Sequence, residues 1–285
     1  MVAAGSAVRA FVQTRGTGRA TDYAFLGGAP PEPWWREYRD VTAFDHPTVL
    51  ITSDGRSWAA YLSGIPSARV DAVGTVVRWT LALDGPCGDP AAGCVGAAVA
   101  AWLDDVAGGR DARGQLPAAL DVQLPAADVQ RWLGRGNGAA SIAAAEVGDR
   151  VLAALASLPV PAAGADDPGS WVGAVGSVAA RRAFTARAMA LVAGRPGRAL
   201  LLNLLGGTDD AAALLDPNPL AVLVEAGVPR TRLVGPKKAP PPSGPRAPAA
   251  GPATEPRPVA TAPRVLGAAI LVLALLVTAL LVLMI

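Results

Sequence analysis

Apolar and polar positions along the first 86 residues alternate with the two-residue period of half-buried strands. In Thr75–Leu83, Val77, Trp79, Leu81 and Leu83 fall on one face, with Arg78 and Thr80 on the other. Trp58, Ala60 and Leu62 share one face of Ser57–Ser63. Thr48–Thr52 precedes that strand across Ser53-Asp54-Gly55-Arg56, and Asp-Gly is a strong hairpin turn signal. Ala7–Gln13 and Tyr23–Leu26 read as strands around Arg15-Gly16-Thr17-Gly18-Arg19. An antiparallel sheet with one buried face is the simplest arrangement for residues 1–86.

The period changes to that of helices over residues 90–160. Ala91–Val106 reads as a small-residue helix ending at Gly108-Gly109, and Asp128–Leu133 as a short one. In Ala139–Leu158, the positions Val147, Val151, Leu155 and Leu158 trace one helical face, and Glu146 and Arg150 pair on the opposite side. Residues 168–234 read as an α/β unit. Trp171–Val175 is a strand, and Val178–Val192 is a helix carrying Phe184, Ala188, Leu191 and Val192 on one face. Ala199–Leu205 is a continuously apolar strand of the kind buried on both faces, a helix begins near Asp209, and Arg230–Val234 is a last strand. The expected fold class is α+β: an antiparallel β-rich part (1–86), then a helical and βαβ-like part (87–234) of the same body.

Two further segments have different physics. Residues 235–264 form a linker, with ten prolines in the 29 residues Gly235–Pro263 and little apolar mass to bury. At about 3.1 Å per residue it spans at most about 90 Å. Val265–Ile285 holds 21 residues without a charge. As a helix it measures about 31 Å, the hydrocarbon thickness of a bilayer. It is expected to span the membrane once, placing the lipid bilayer among the partners. Arg264 abuts the span, and Lys237, Lys238, Arg246 and Arg257 lie upstream against the single acid Glu255. The positive-inside rule then keeps the body in the cytoplasm. The opening MVAAGSAVRA is a poor signal peptide, so the expectation is a tail anchor.

This segmentation changes what the composition means. The chain carries a net +2 and is 52% hydrophobic. Five of its 25 basic residues and one of its 23 acids lie beyond residue 234, which leaves the body at −2. A nucleic-acid partner is not expected of such a body. Two cysteines and one histidine exclude a zinc or disulfide scaffold. Cys87 and Cys94 read as incidental thiols. Among the glycine-rich loops, RGTGR, GRGNG and GGTD, none continues into a P-loop or a complete dinucleotide fingerprint, so no cofactor is expected. His46 precedes Pro47, and no Gly-x-Ser-x-Gly elbow accompanies it.

Three groups are candidate binding residues. Trp34 and Trp35, beside Arg36, have the composition of interface anchors, or alternatively cap the open edge of the sheet. Arg69, Asp71 and Arg78 surround a turn, where the two guanidinium groups form an anion clamp or Asp71 caps the turn and pairs with Arg69. Gly206, Thr208 and Asp209 follow an apolar strand and precede a helix, the place where open α/β sheets bind ligands. Arg181, Arg182 and Arg187 read as a solvated helix face. No catalytic residue or metal ligand is assigned. The expectation is a membrane-tethered cytosolic binding or adaptor module with a protein partner. The alternative is a tethered enzyme or sensor of a small anionic or nucleotide-like ligand.

Overall fold

The computed structural model describes residues 8–18, 22–43, 46–109, 113–134, 140–162, 164, 168–205, 208–225 and 230–233. The chain divides into two units, Met1–Lys237 and Lys238–Ile285, and every described residue belongs to the first. The proline-rich linker and the apolar segment 265–285 lie outside the described residues. Among the described residues no helix is long and apolar enough to cross a membrane.

The described strands are β1 (Arg9–Thr14), β2 (Ala24–Phe25), β3 (Thr48–Ser53), β4 (Ser57–Val70), β5 (Val76–Pro86), β6 (Trp171–Ala174), β7 (Gly197–Leu202), β8 (Leu220–Val224) and β9 (Thr231–Arg232). They form one sheet in the order β2-β1-β5-β4-β3-β7-β8-β6-β9. The protein is therefore mixed α+β, with a large, mostly antiparallel sheet. The β3–β4 hairpin turns at Asp54-Gly55, as its sequence predicts, with Ser53 opposite Trp58. β4 runs seven residues past the predicted end at Ser63. It does so through two register irregularities, one between Leu62 and Ile65 and one between Pro66 and Val70. Gly64 and Pro66 look like strand terminators, but at a bulge an unpaired residue or a missing donor is tolerated.

The last third follows from crossover handedness. β6 and β7 are both parallel to β8, which lies between them. The step from β6 to β7 passes through α5 (Val178–Val192), and the step back to β8 passes through α6 (Thr208–Ala213). Both crossovers are right-handed only if helices moving in opposite directions lie on opposite faces. Phe184 of α5 joins one core cluster and Ala211 of α6 the other.

The first face carries the larger core. It is built from α1 (Gly93–Ala107), α2 (Gln115–Gln123), α3 (Ala126–Leu133), α4 (Ala140–Ala156) and α5. Val147, Val151, Leu155 and Leu158 are all buried there, in the predicted stripe. Trp58, Trp79 and Leu81 face them from the sheet. The single buried face expected for the N-terminal sheet is corrected by the other side. There Leu50, Tyr61 and Ala82 are also buried, under the 3-10 helix Trp34–Val41. Leu200 and Val222 on this face are fully covered as well.

Arg187 also departs from expectation. It is completely buried, and its Nη2 donates to the Gly169 carbonyl at 2.9 Å. Its place on α5 borders the apolar arc, and the packed neighbours close over it. Arg181 reaches Asp104 at 3.1 Å and the Val175 carbonyl at 2.8 Å.

Candidate functional site

The candidate residues occupy three separate places. The first is the far end of the β4–β5 hairpin. Asp71 Oδ1 accepts from the backbone N–H groups of Val73 and Thr75, closing the turn as an Asx cap. These bonds, that from Thr75 first, hold its carboxyl below the usual carboxylate range. Its ion-pair partner is Arg15, at 2.6 Å, and not Arg69. The Arg69 guanidinium stacks 4.1 Å over the Trp79 ring and donates to Thr14 Oγ1 and the Arg15 carbonyl. Burial pulls its pKa down to about 10, which still leaves it charged at neutral pH. Trp79 Nε1 in turn donates to Asp121 of α2. Arg78 Nη1 donates to the Gly64 carbonyl at 2.8 Å. Both guanidinium groups are thus engaged within the fold, fastening the hairpin to β1 and to the bulge.

The second place is the end of the sheet where β6, β7 and β8 point their carboxyl termini. Asn203 follows β7 and ties down the crossing segment. Its Oδ1 accepts from Ala43 N at 2.7 Å, while its Nδ2 donates to the Pro47 carbonyl and to Thr48 Oγ1. His46 Nδ1 lies 3.8 Å from Glu225, which follows β8. Thr208 and Asp209 open α6, as the strand–turn–helix pattern predicts. Gly206 lies outside the described residues. Asp209 and Asp210 occupy the first turn of α6, and Glu225 directly follows β8.

The third place holds the tryptophans. Trp35 stacks on Tyr61 with centroids 4.9 Å apart and rings 15° from parallel. Trp34 stands edge-on to Trp35 (6.4 Å, 82°) and to Tyr38 (6.3 Å, 85°). Burial raises the Tyr61 phenol above its ordinary value. The 3-10 helix covers only the middle of this sheet face. Toward the Asp54 turn the face stays open, and a cleft of about 610 Å3 forms between Trp34 and residues of four strands. Alternation places Arg9, Thr52, Ala59 and Asp84 on this same face as Leu50, Tyr61 and Ala82. Register puts Arg9 opposite Asp84, and the two make a fork-to-carboxylate pair at 2.6 and 2.9 Å. Asp54 accepts from the backbone of Arg56 and Ser57, and these bonds, that of Ser57 first, hold its carboxyl low.

Sequence reading identifies Trp34 but misses Arg9, Glu32, Asp54 and Asp84 as its neighbours in the cleft. The opposed charges of Arg9 and Asp84 are legible only once the β1–β5 register is known. Cys87 and Cys94 are free thiols, and burial pushes the Cys94 thiol up to about 11. Among the described residues no group of three potential ligands is arranged to hold a metal ion. No protein-family model, curated protein or solved structure matches the chain.

Proposed function

We propose that the chain is a membrane-tethered binding module. Residues 265–285 hold it in a bilayer, the proline-rich linker acts as a spacer, and the body works on the cytoplasmic side. The observation that carries this reading is the run of 21 uncharged residues directly behind a basic, proline-rich stretch. The partner-binding surface in this reading is the aromatic face around Trp34, where a cleft of about 610 Å3 opens beside a half-buried tryptophan. Half-buried aromatic residues framed by charge are the usual anchors of protein contacts.

The competing reading is an enzyme or sensor taking a small anionic ligand near Gly206, Thr208 and Asp209. It draws support from the strand–turn–helix order, but neither described cleft is lined by Thr208 or Asp209.

Two measurements test the proposal. The full chain should stay in the membrane pellet after carbonate washing, and Leu275→Arg should release it, since a central arginine costs about 2.5–3.5 kcal/mol on insertion scales. A soluble wild type would overturn the tether. A photoreactive residue at Pro31, beside the cleft, should form an adduct in cells. The same residue at the exposed Val122 of α2 should not. Equal behaviour at the two positions would remove the binding-face reading.

A further inference from the structure

The cleft has a composition that selects its ligand. Its floor is the uncovered sheet face at Ala59, and one wall is Trp34. Its charged lining is Glu32, Asp54, Asp84 and Arg9, three carboxylates against one guanidinium. That guanidinium is already occupied, because both its Nε and Nη2 donate to Asp84. The pairing also raises the Arg9 pKa above its ordinary value, through the Asp84 hydrogen bond first. Asp54 is kept anionic by the turn that it caps. An incoming group therefore meets a net charge of about −2 beside the ring of Trp34. The volume falls within the roughly 300–1,000 Å3 of small-ligand pockets.

An anionic ligand is repelled by this lining, and a purely apolar one leaves the carboxylates facing it. A cation with a flat, weakly hydrated face satisfies both halves of the site, stacking on tryptophan and donating to carboxylates. We infer that the cleft binds an arginine side chain presented by an extended segment of a protein partner. The guanidinium lies against Trp34 and donates to Glu32 and Asp54, while the flanking residues rest on Ala59. The inference rests on the binding-module reading and gives that reading's partner a chemistry.

The test uses the full chain in nanodiscs of zwitterionic lipid and a fluorescein-labelled peptide, Ala-Pro-Arg-Ala-Arg-Pro. Fluorescence anisotropy should show saturable binding that weakens as salt rises, as for any partly screened ion pair. Replacing both arginines of the peptide by glutamine should weaken binding about tenfold or more, the scale of a lost anchor residue. Trp34→Ala should do the same, and Trp34→Phe should retain most of the affinity. Glu32→Gln alters an exposed carboxylate and should weaken binding about threefold while flattening the salt dependence. If Trp34→Ala lowers the melting temperature, Glu32→Gln carries the test.

No binding at millimolar peptide, equal binding of the glutamine peptide, or preference for a glutamate peptide would overturn the inference. So would dimers that form through the cleft and disappear on Trp34→Ala, because the occupant would then be a second copy. An adduct at Pro31 in cells together with any of these results refutes only the arginine chemistry. Absence of both adduct and peptide binding refutes the binding module itself.

Discussion

Gly64→Ala isolates the energetic role of the β4 bulge. Gly64 has φ of +78°, and Gly74, in the hairpin turn, has +84°. An alanine in the left-handed region costs about 1–2 kcal/mol at either position. The surroundings differ. A Cβ on Gly74 meets nothing within 4 Å, whereas one on Gly64 would lie 2.5 Å from the His46 carbonyl oxygen and 2.8 Å from Pro47 N. Those atoms are backbone and cannot rotate away. The segment is also pinned by Asn203, which bonds to Ala43, Pro47 and Thr48. Forcing it outward adds about 1–3 kcal/mol, by analogy with overpacked cores. Gly64→Ala should therefore cost about 2–5 kcal/mol and Gly74→Ala about 1–2 kcal/mol. For a body of this size each kcal/mol is about 2–4 °C in Tm. Parallel thermal melts of the two variants in detergent micelles, followed by tryptophan fluorescence, measure the difference. Equal losses would refute the reasoning, since the dihedral cost is common and only the contact separates them.

Other expectations concern packing and charge. Leu155 is fully buried in the α4 stripe, so Leu155→Ala should cost about 2–5 kcal/mol in urea unfolding, and a loss below about 1 kcal/mol would show a collapsible site. Asp71 titrates below its ordinary value, so its contribution is present above the unfolded pKa and fades as pH falls through the folded one. Asp71→Asn should accordingly be more damaging at pH 7 than at pH 3, read from Tm at the two values. Asp105 behaves oppositely, because burial raises its carboxyl pKa while it accepts from Gln115 and Leu116 at the start of α2. Its native form holds the proton more tightly than the unfolded chain, so stability declines as pH rises from the unfolded pKa through the folded one. Asp105→Asn should then cost more at pH 4 than at pH 7.5, and the reverse order would refute the assignment.

Periodicity locates most elements because one buried stripe suffices to mark them. The α5 range and the buried stripe of α4 follow from apolar spacing alone. Three features escape it. β8, Leu-Ala-Val-Leu-Val, is too short for its period to distinguish it from buried helix, although Asp216-Pro217-Asn218-Pro219 marks a turn directly before it. α2 contains Pro117, which reads as a break although it falls in the first turn, where the missing N–H costs nothing. The 3-10 helix at Trp34–Val41 is half charged, with Tyr38 its one buried residue, so no sustained apolar run announces it. The cleft is less legible still. Trp34 stands out as an aromatic residue, but its charged neighbours come from β1, the β3–β4 turn and β5, up to 75 residues apart in the chain. Only strand register brings Arg9 to Asp84, and register is a property of pairs of strands, not of either one.

The sheet ends in two very short strands, β2 with two residues on one side and β9 with two on the other. A long unpaired margin offers a row of free amide and carbonyl groups on which another chain can extend the ladder. Here β2 covers only Gln13 and Thr14 of β1 and β9 only Trp171 and Val172 of β6, so each end strand itself offers barely one pairing step. Under the bilayer tether proposed above, where molecules would meet repeatedly in a plane, end strands this short leave neighbours little on which to zip into ribbons and keep collisions reversible.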